Sequence, residues 1–248
     1  MAKRYNLSGY TRVRIQTTID AEIVISDTFN IDVETGPLSP VKIRQKGDTL
    51  TISRPWRWFV FGFFFKLSRV NVKIGMPELL ELEVSDNSSA GVAGFSSSSE
   101  FKLTLSEASS FACDLTTGDA RLDIAGSSQA EFTGSSSNLF LKVKDSSSFA
   151  ANINVDGNAE IEVSANSAIA LAGSAGSILA DISNVSNADM GGFSAHDINI
   201  KLNRLSNVTI KLNGKLDAEV GGASDLRWSG NPVMGTINVT SGSVFQQE

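Results

Sequence analysis

From Leu82 onward the chain repeats a short apolar–polar–apolar triplet: Leu82-Glu83-Val84, Leu103-Thr104-Leu105, Leu122-Asp123-Ile124, Leu141-Lys142-Val143 and Ile161-Glu162-Val163. It continues as Ala180-Asp181-Ile182, Ile200-Lys201-Leu202, Ala218-Glu219-Val220 and Ile237-Asn238-Val239, at steps of 18–21 residues. Alternation of this kind is the signature of a strand with one buried face. Four residues after each triplet comes a serine: Ser88, Ser109, Ser128, Ser147, Ser167, Ser186, Ser206, Ser224 and Ser243. Two and four residues beyond it lie further apolar or small side chains, such as Phe111 and Cys113, or Ala130 and Phe132. Each repeat therefore predicts a strand, a serine-bearing corner and a second strand. No repeat holds apolar residues at helical spacing long enough to form a helix.

A repeat of two short strands cannot bury its apolar face alone; stacking does so. The expected fold is all-β, a right-handed parallel β-helix of about nine regular turns, with handedness set by the crossover rule. At about 4.8 Å per turn the rod is roughly 43 Å long. Stacking puts the nine serines directly above one another. A hydroxyl both donates and accepts, so the column predicts a hydrogen-bonded ladder along itself or to nearby backbone, not nine nucleophiles. The outward position of the triplet places Lys142 between Asp123 and Glu162, and Lys201 between Asp181 and Glu219. This reads as a solvated face whose stacked opposite charges each contribute ~0.2–1 kcal/mol.

Residues 1–77 also alternate, at Val13/Ile15, Ala21/Ile23/Ile25, Ile31/Val33, Val41/Ile43, Leu50/Ile52 and Val70/Val72/Ile74, but they lack the serine column. They predict irregular opening turns or a β cap over the first edge of the solenoid, continuous with the regular part at 78–248. Within them Trp56, Arg57, Trp58, Phe59, Phe61, Phe63, Phe64 and Phe65 form an aromatic run flanked by cations. The run is too short to span a bilayer. Three readings stand: a hydrophobic lid over the solenoid end, a protein contact (including homo-oligomer formation), or docking on a membrane surface.

Composition sharpens the picture in three places. The 248 residues carry a net charge of −6, but residues 1–77 hold twelve Lys/Arg against six Asp/Glu, and the remainder nine against twenty-one. An acidic rod argues against nucleic acid as a partner. The single Cys and single His exclude a disulfide framework and a Cys- or His-rich metal site, so no metal and no cofactor are expected. Cys113 falls in an inward column and reads as a buried small hydrophobe. His196, beside Asp197 at a corner, reads as a surface residue.

The repeat, the stretch Val72-Lys73-Ile74-Gly75-Met76-Pro77-Glu78-Leu79, the ending Trp228-Ser229-Gly230-Asn231-Pro232 and Ser241-Gly242-Ser243-Val244 resemble the bacterial putative auto-transporter adhesin, head GIN domain family. The resemblance covers nearly the whole chain. It implies a parallel β-helix of the cell envelope or extracellular space with an adhesin role, and it brings no catalytic residue. Met1-Ala2-Lys3-Arg4-Tyr5-Asn6 has no apolar core of a signal peptide, so an excised domain, a cytoplasmic protein or another export route are all open.

The resulting expectation is a non-enzymatic, adhesin-like binding module that holds a protein, glycan or surface through its solenoid faces or its aromatic end. Two alternatives remain. One is a carbohydrate-active β-helix enzyme, which needs acids and bases from adjacent turns to converge in a cleft. The other is an assembly protein that oligomerises or docks on membranes through Trp56–Phe65.

Overall fold

The computed structural model of the chain describes residues 2–36, 40–55, 70–240 and 242–248. All regular structure among them is strand. The N-terminal third contributes β1 (Ala2–Tyr5), β2 (Arg12–Ile15), β3 (Ile19–Ile25), β4 (Asn30–Glu34), β5 (Lys42–Lys46), β6 (Thr49–Ser53) and β7 (Val70–Met76). The repeats contribute β8 (Glu81–Val84), β9 (Ser89–Ser96), β10 (Phe101–Leu105), β11 (Ser110–Ile124), β12 (Gln129–Val143), β13 (Ser148–Val155) and β14 (Asn158–Val163). They end with β15 (Ala168–Ser183), β16 (Asn187–Asn203), β17 (Asn207–Leu212), β18 (Lys215–Val220), β19 (Asp225–Ser229), β20 (Val233–Val239) and β21 (Val244–Gln247).

Each coil places one strand in each of two parallel columns. The first column holds the triplets, with Leu103 opposite both Leu82 and Leu122, and Leu141 opposite Ile161. The second holds the strands after the serines, with Phe111 opposite Ala90 and Ala130. The long strands β11, β12, β15 and β16 run from the second column of one coil through a short third side into the first column of the next. The third side is tight. Gly173 (φ +113) has no room for a Cβ, which would collide with the Ile153 carbonyl of the preceding coil. About nine regular coils follow one another from β8 to β21 among the described residues. Inward residues such as Phe132, Phe193 and Leu141 form one continuous apolar core.

The N-terminal third extends both columns out of chain order. The β2–β3 coil lies between β6–β7 on one side and β8–β9 on the other. Among the described residues the first column continues beyond β6 into antiparallel β5, and the second beyond β7 into antiparallel β4, on which β1 pairs antiparallel in turn. Arg4 clamps β1 to β4 with two hydrogen bonds to Asp32, of 2.7 and 2.9 Å. Ile25 breaks the alternation: it is 50% exposed, because the chain leaves the coil at the end of β3.

The corner between the columns explains the serine column. The two residues before the serine take left-handed backbone conformations in coil after coil: Asp86 and Asn87, Glu107 and Ala108, Asp145 and Ser146, Asn184 and Val185, Arg204 and Leu205. The second of each pair donates its N–H to the carbonyl of the first in the next coil, as in Asn87 to Glu107 (2.8 Å) and Val185 to Arg204 (2.9 Å). The serine carbonyl accepts from the residue after the next serine, as Ser128 does from Ser148 (2.9 Å). That leaves the serine N–H facing the next coil where no backbone acceptor is offered. The hydroxyl one coil on supplies it: Ser88 N–H to Ser109 Oγ (3.3 Å), Ser109 to Ser128 (3.2 Å), Ser128 to Ser147 (3.1 Å) and Ser147 to Ser167 (3.2 Å). The series continues from Ser167 to Ser186 (3.3 Å), Ser186 to Ser206 (3.4 Å) and Ser206 to Ser224 (3.1 Å). A buried N–H without a partner is costly, so small size and an acceptor oxygen are both required here.

Candidate functional site

The residues singled out from the sequence separate into three groups. Ser88, Ser109, Ser128, Ser147, Ser167, Ser186, Ser206 and Ser224 are buried and face inward, with their Oγ atoms turned to the backbone. Trp56, Arg57, Trp58, Phe59, Phe61, Phe63, Phe64 and Phe65 lie outside the described residues. Cys113 is buried, and that burial pushes its thiol pKa far above the ordinary value. His196 is exposed, 3.9 Å from Asp197, whose Oδ1 also accepts the Lys215 N–H at 2.6 Å.

The outward side of the first column carries the richest chemistry. Stacked ion pairs run along it: Arg14–Glu83 at 2.7 Å, Lys142–Glu162 at 2.8 Å and Lys201–Glu219 at 3.3 Å. Asp123 pairs with Lys144 (3.5 Å) rather than directly with Lys142, so Lys142 bonds on one side only. All of these are exposed pairs, and they set the charge pattern more than they stabilise the fold.

Two residues before these charges on each strand is a second outward row: Lys102, Arg121, Phe140, Glu160, Leu179 and Asn199. Two of its members are apolar. Leu179 is 53% exposed, and Phe140 lies partly exposed with the Arg121 guanidinium 3.9 Å from its ring centre. A cation over a ring face holds both side chains in place. Between and beside these residues is an open groove of about 670 Å³ that runs from Arg121 to Glu219 across six coils. Sequence reading followed the charged row and missed this one. The signal was present: Phe140 and Leu179 are apolar at a position that other repeats fill with Lys, Arg, Glu, Asn, Asp or Thr.

Smaller concavities lie elsewhere among the described residues. A shallow depression of about 450 Å³ on the second column is floored by Ala150, Ala170 and Ala172 and edged by Glu131 and Asp189. A third, of about 220 Å³, opens where β3 leaves the stack, between Ile25, Leu79, Phe95, Phe101 and Leu115. Glu78 borders it and accepts a hydrogen bond from Ser99 Oγ at 3.2 Å.

A stacked, open-faced β-solenoid whose outward rows combine charge pairs with isolated apolar side chains is a surface-presenting scaffold. The chain belongs to the family described as putative auto-transporter adhesin, head GIN domain, which matches residues 9–165 and 136–232. The two matched spans overlap, as a repeating structure permits.

Solved structures share the fold. A putative adhesin from Parabacteroides merdae is 15% identical, with a TM-score of 0.71, covering 100% of this chain and 95% of that one. A putative adhesin from Parabacteroides distasonis is 17% identical, with a TM-score of 0.70 and coverage of 100% and 96%. A putative lipid binding protein from the same species is 13% identical, with a TM-score of 0.59 and the same coverage. A search of curated proteins finds no match.

Proposed function

We propose that this chain is a non-enzymatic, adhesin-like module of the cell envelope that binds a linear glycan along the first-column face. The observation that carries this reading is the groove from Arg121 to Glu219, which exposes Phe140 and Leu179 among Lys142, Glu160, Asn199 and Lys201. Six coils at about 4.8 Å give it a length of roughly 24 Å, longer than a single small molecule needs. Apolar side chains suit the flat faces of sugar rings, while carboxylates, amides and ammonium groups suit their hydroxyls. Lys142–Glu162 and Lys201–Glu219 lie on this face as stacked ion pairs, an arrangement suited to holding a chain along its length. The family description and the adhesin names of two Parabacteroides structures support the adhesin-like part of this reading.

The test is a glycan array probed with the whole chain, followed by titration of the best binder. Replacing Phe140 and Leu179 together by Ala should weaken binding at least about tenfold, the loss of two apolar contacts. Glycan binding that is unchanged by the double substitution, or capture only of polypeptides, removes this reading.

A further inference from the structure

The two ends of the solenoid differ, and the difference points to a partner. Among the described residues the outermost strands at the N-terminal end are β5, antiparallel to its column, and β1, which pairs antiparallel with β4 and so runs in the direction of its column. They carry Lys42, Arg44 and Lys46, and Lys3 and Arg4, with no acid in either strand. Charged side chains, Lys above all, are the usual protection of a sheet edge against pairing with another chain.

The edge formed by β20 and β21 lacks that protection among the described residues. Among the described residues β20 pairs only with β18, and β21 only with β19. Thr240, Val244 and Glu248 donate their N–H groups back to the preceding coil. By the alternation of a parallel ladder, the intervening residues, Val239, Phe245 and Gln247, direct theirs off the edge. The core is open as well. Met234 and Val239 are 42% and 40% exposed, whereas Leu216 and Val220, their counterparts one coil earlier, are fully buried. Outward-facing Val233 and Val244 add further exposed apolar surface. No charged residue occurs between Arg227 and Glu248.

We infer that this edge pairs with the same edge of a second copy of the chain, forming a tail-to-tail dimer about a two-fold axis. The charge pattern selects the partner. An uncharged edge meets its own copy without repulsion, whereas head-to-tail stacking would place it against an edge protected by Lys and Arg, one of whose strands, β5, runs the other way. A two-fold axis normal to the two columns joins β20 to β20 and β21 to β21 in antiparallel fashion, which continues both sheets. It also covers Met234, Ile237, Val239 and Phe245. The contact is isologous and closed, so it yields dimers and not filaments. Of the two copies, the basic caps face outward at both ends.

Sedimentation velocity on the whole chain, at concentrations up to about 100 µM, tests this. The wild type should sediment as a dimer. Asn238→Lys and Val244→Lys, each on an outward position of the edge, should each weaken the dimer at least about tenfold by setting like charges together. Thr104→Lys, mid-rod, and Lys42→Glu with Arg44→Glu in β5 should leave it intact. Circular dichroism identifies any variant that fails to fold, and the other edge variant then decides. A monomeric wild type, a dimer that survives both edge lysines, or a dimer abolished by the β5 substitutions overturns the inference.

Discussion

Ser147→Ala is the sharpest test of why a serine stands at every corner. Its Oγ accepts the N–H of Ser128 at 3.1 Å in a fully buried setting. Alanine fits the same space, so no cavity opens and the change isolates one acceptor. The Ser128 N–H then has no partner, and water cannot reach it. An orphaned buried donor costs about 1–3 kcal/mol. Taking about 2 kcal/mol, a chain of this length should lose about 4–8 °C of melting temperature if it unfolds cooperatively. A coil can also open locally, so amide hydrogen exchange is the more direct assay: protection of the Ser128 amide should fall about 30-fold, while distant coils keep theirs. Two controls separate the ladder from a general preference for serine. Ser110 is exposed beside the same kind of corner, and Ser110→Ala should change stability by less than about 0.5 kcal/mol. Ser243 closes the column with an Oγ that has no hydrogen-bond partner among the described residues, and its own N–H turns locally to the Thr240 carbonyl at 3.2 Å. Ser243→Ala should therefore be as mild as Ser110→Ala. If Ser147→Ala is equally mild and the Ser128 amide stays protected, the acceptor argument is wrong.

Two further predictions concern the same corners. Val185 holds a left-handed conformation (φ +65), which a β-branched residue tolerates poorly, and its side chain is half exposed. Val185→Asn should stabilise the chain by about 0.5–1 kcal/mol in thermal unfolding, and a loss of stability would show that the left-handed pair is not strained. Glu107 stacks on Asp86, whose hydrogen bond and negative charge raise the Glu107 pKa. A carboxyl raised in the folded state binds its proton more tightly there, so its contribution is full at acid pH and is lost as pH rises through the raised value. Glu107→Gln should thus raise the melting temperature at pH 7 and not at pH about 3, and equal melting temperatures at pH 7 would refute the repulsion.

Much of this architecture was legible in the sequence because a solenoid repeats one local rule. The triplets give the first column, the residues beyond the serines give the second, and the register follows once equivalent residues are stacked. Three features were not legible. The left-handed pairs include Ala108, Ala165, Val185 and Leu205, none of which signals a positive φ, because inter-coil hydrogen bonds and not local preference impose it. The placement of β2–β3 between β6–β7 and β8–β9 is a choice of order among similar alternating strands, and alternation carries no order. The Phe140–Leu179 row was hidden because alternation says which positions face outward but not which outward positions will share a groove.

The polarity of the serine ladder accounts for where it begins. Every bond runs one way, from the N–H of one coil to the hydroxyl of the next, so the first coil must donate but need not accept. Ile19 occupies that first corner position, and its N–H reaches Ser88 Oγ at 3.3 Å. The Ile19 side chain is fully buried and adds to the core where the later coils place a serine. The serine requirement is thus one of chain direction as much as of composition. It also frees the outside of the rod. The corner is held by backbone and inward hydroxyls, so the outward rows carry no structural duty and can take any residue that their surroundings tolerate. That is where the sequence departs most from its own repeat, with Phe140 and Leu179 on the first-column face and an uncharged last coil, and it is where binding is to be sought.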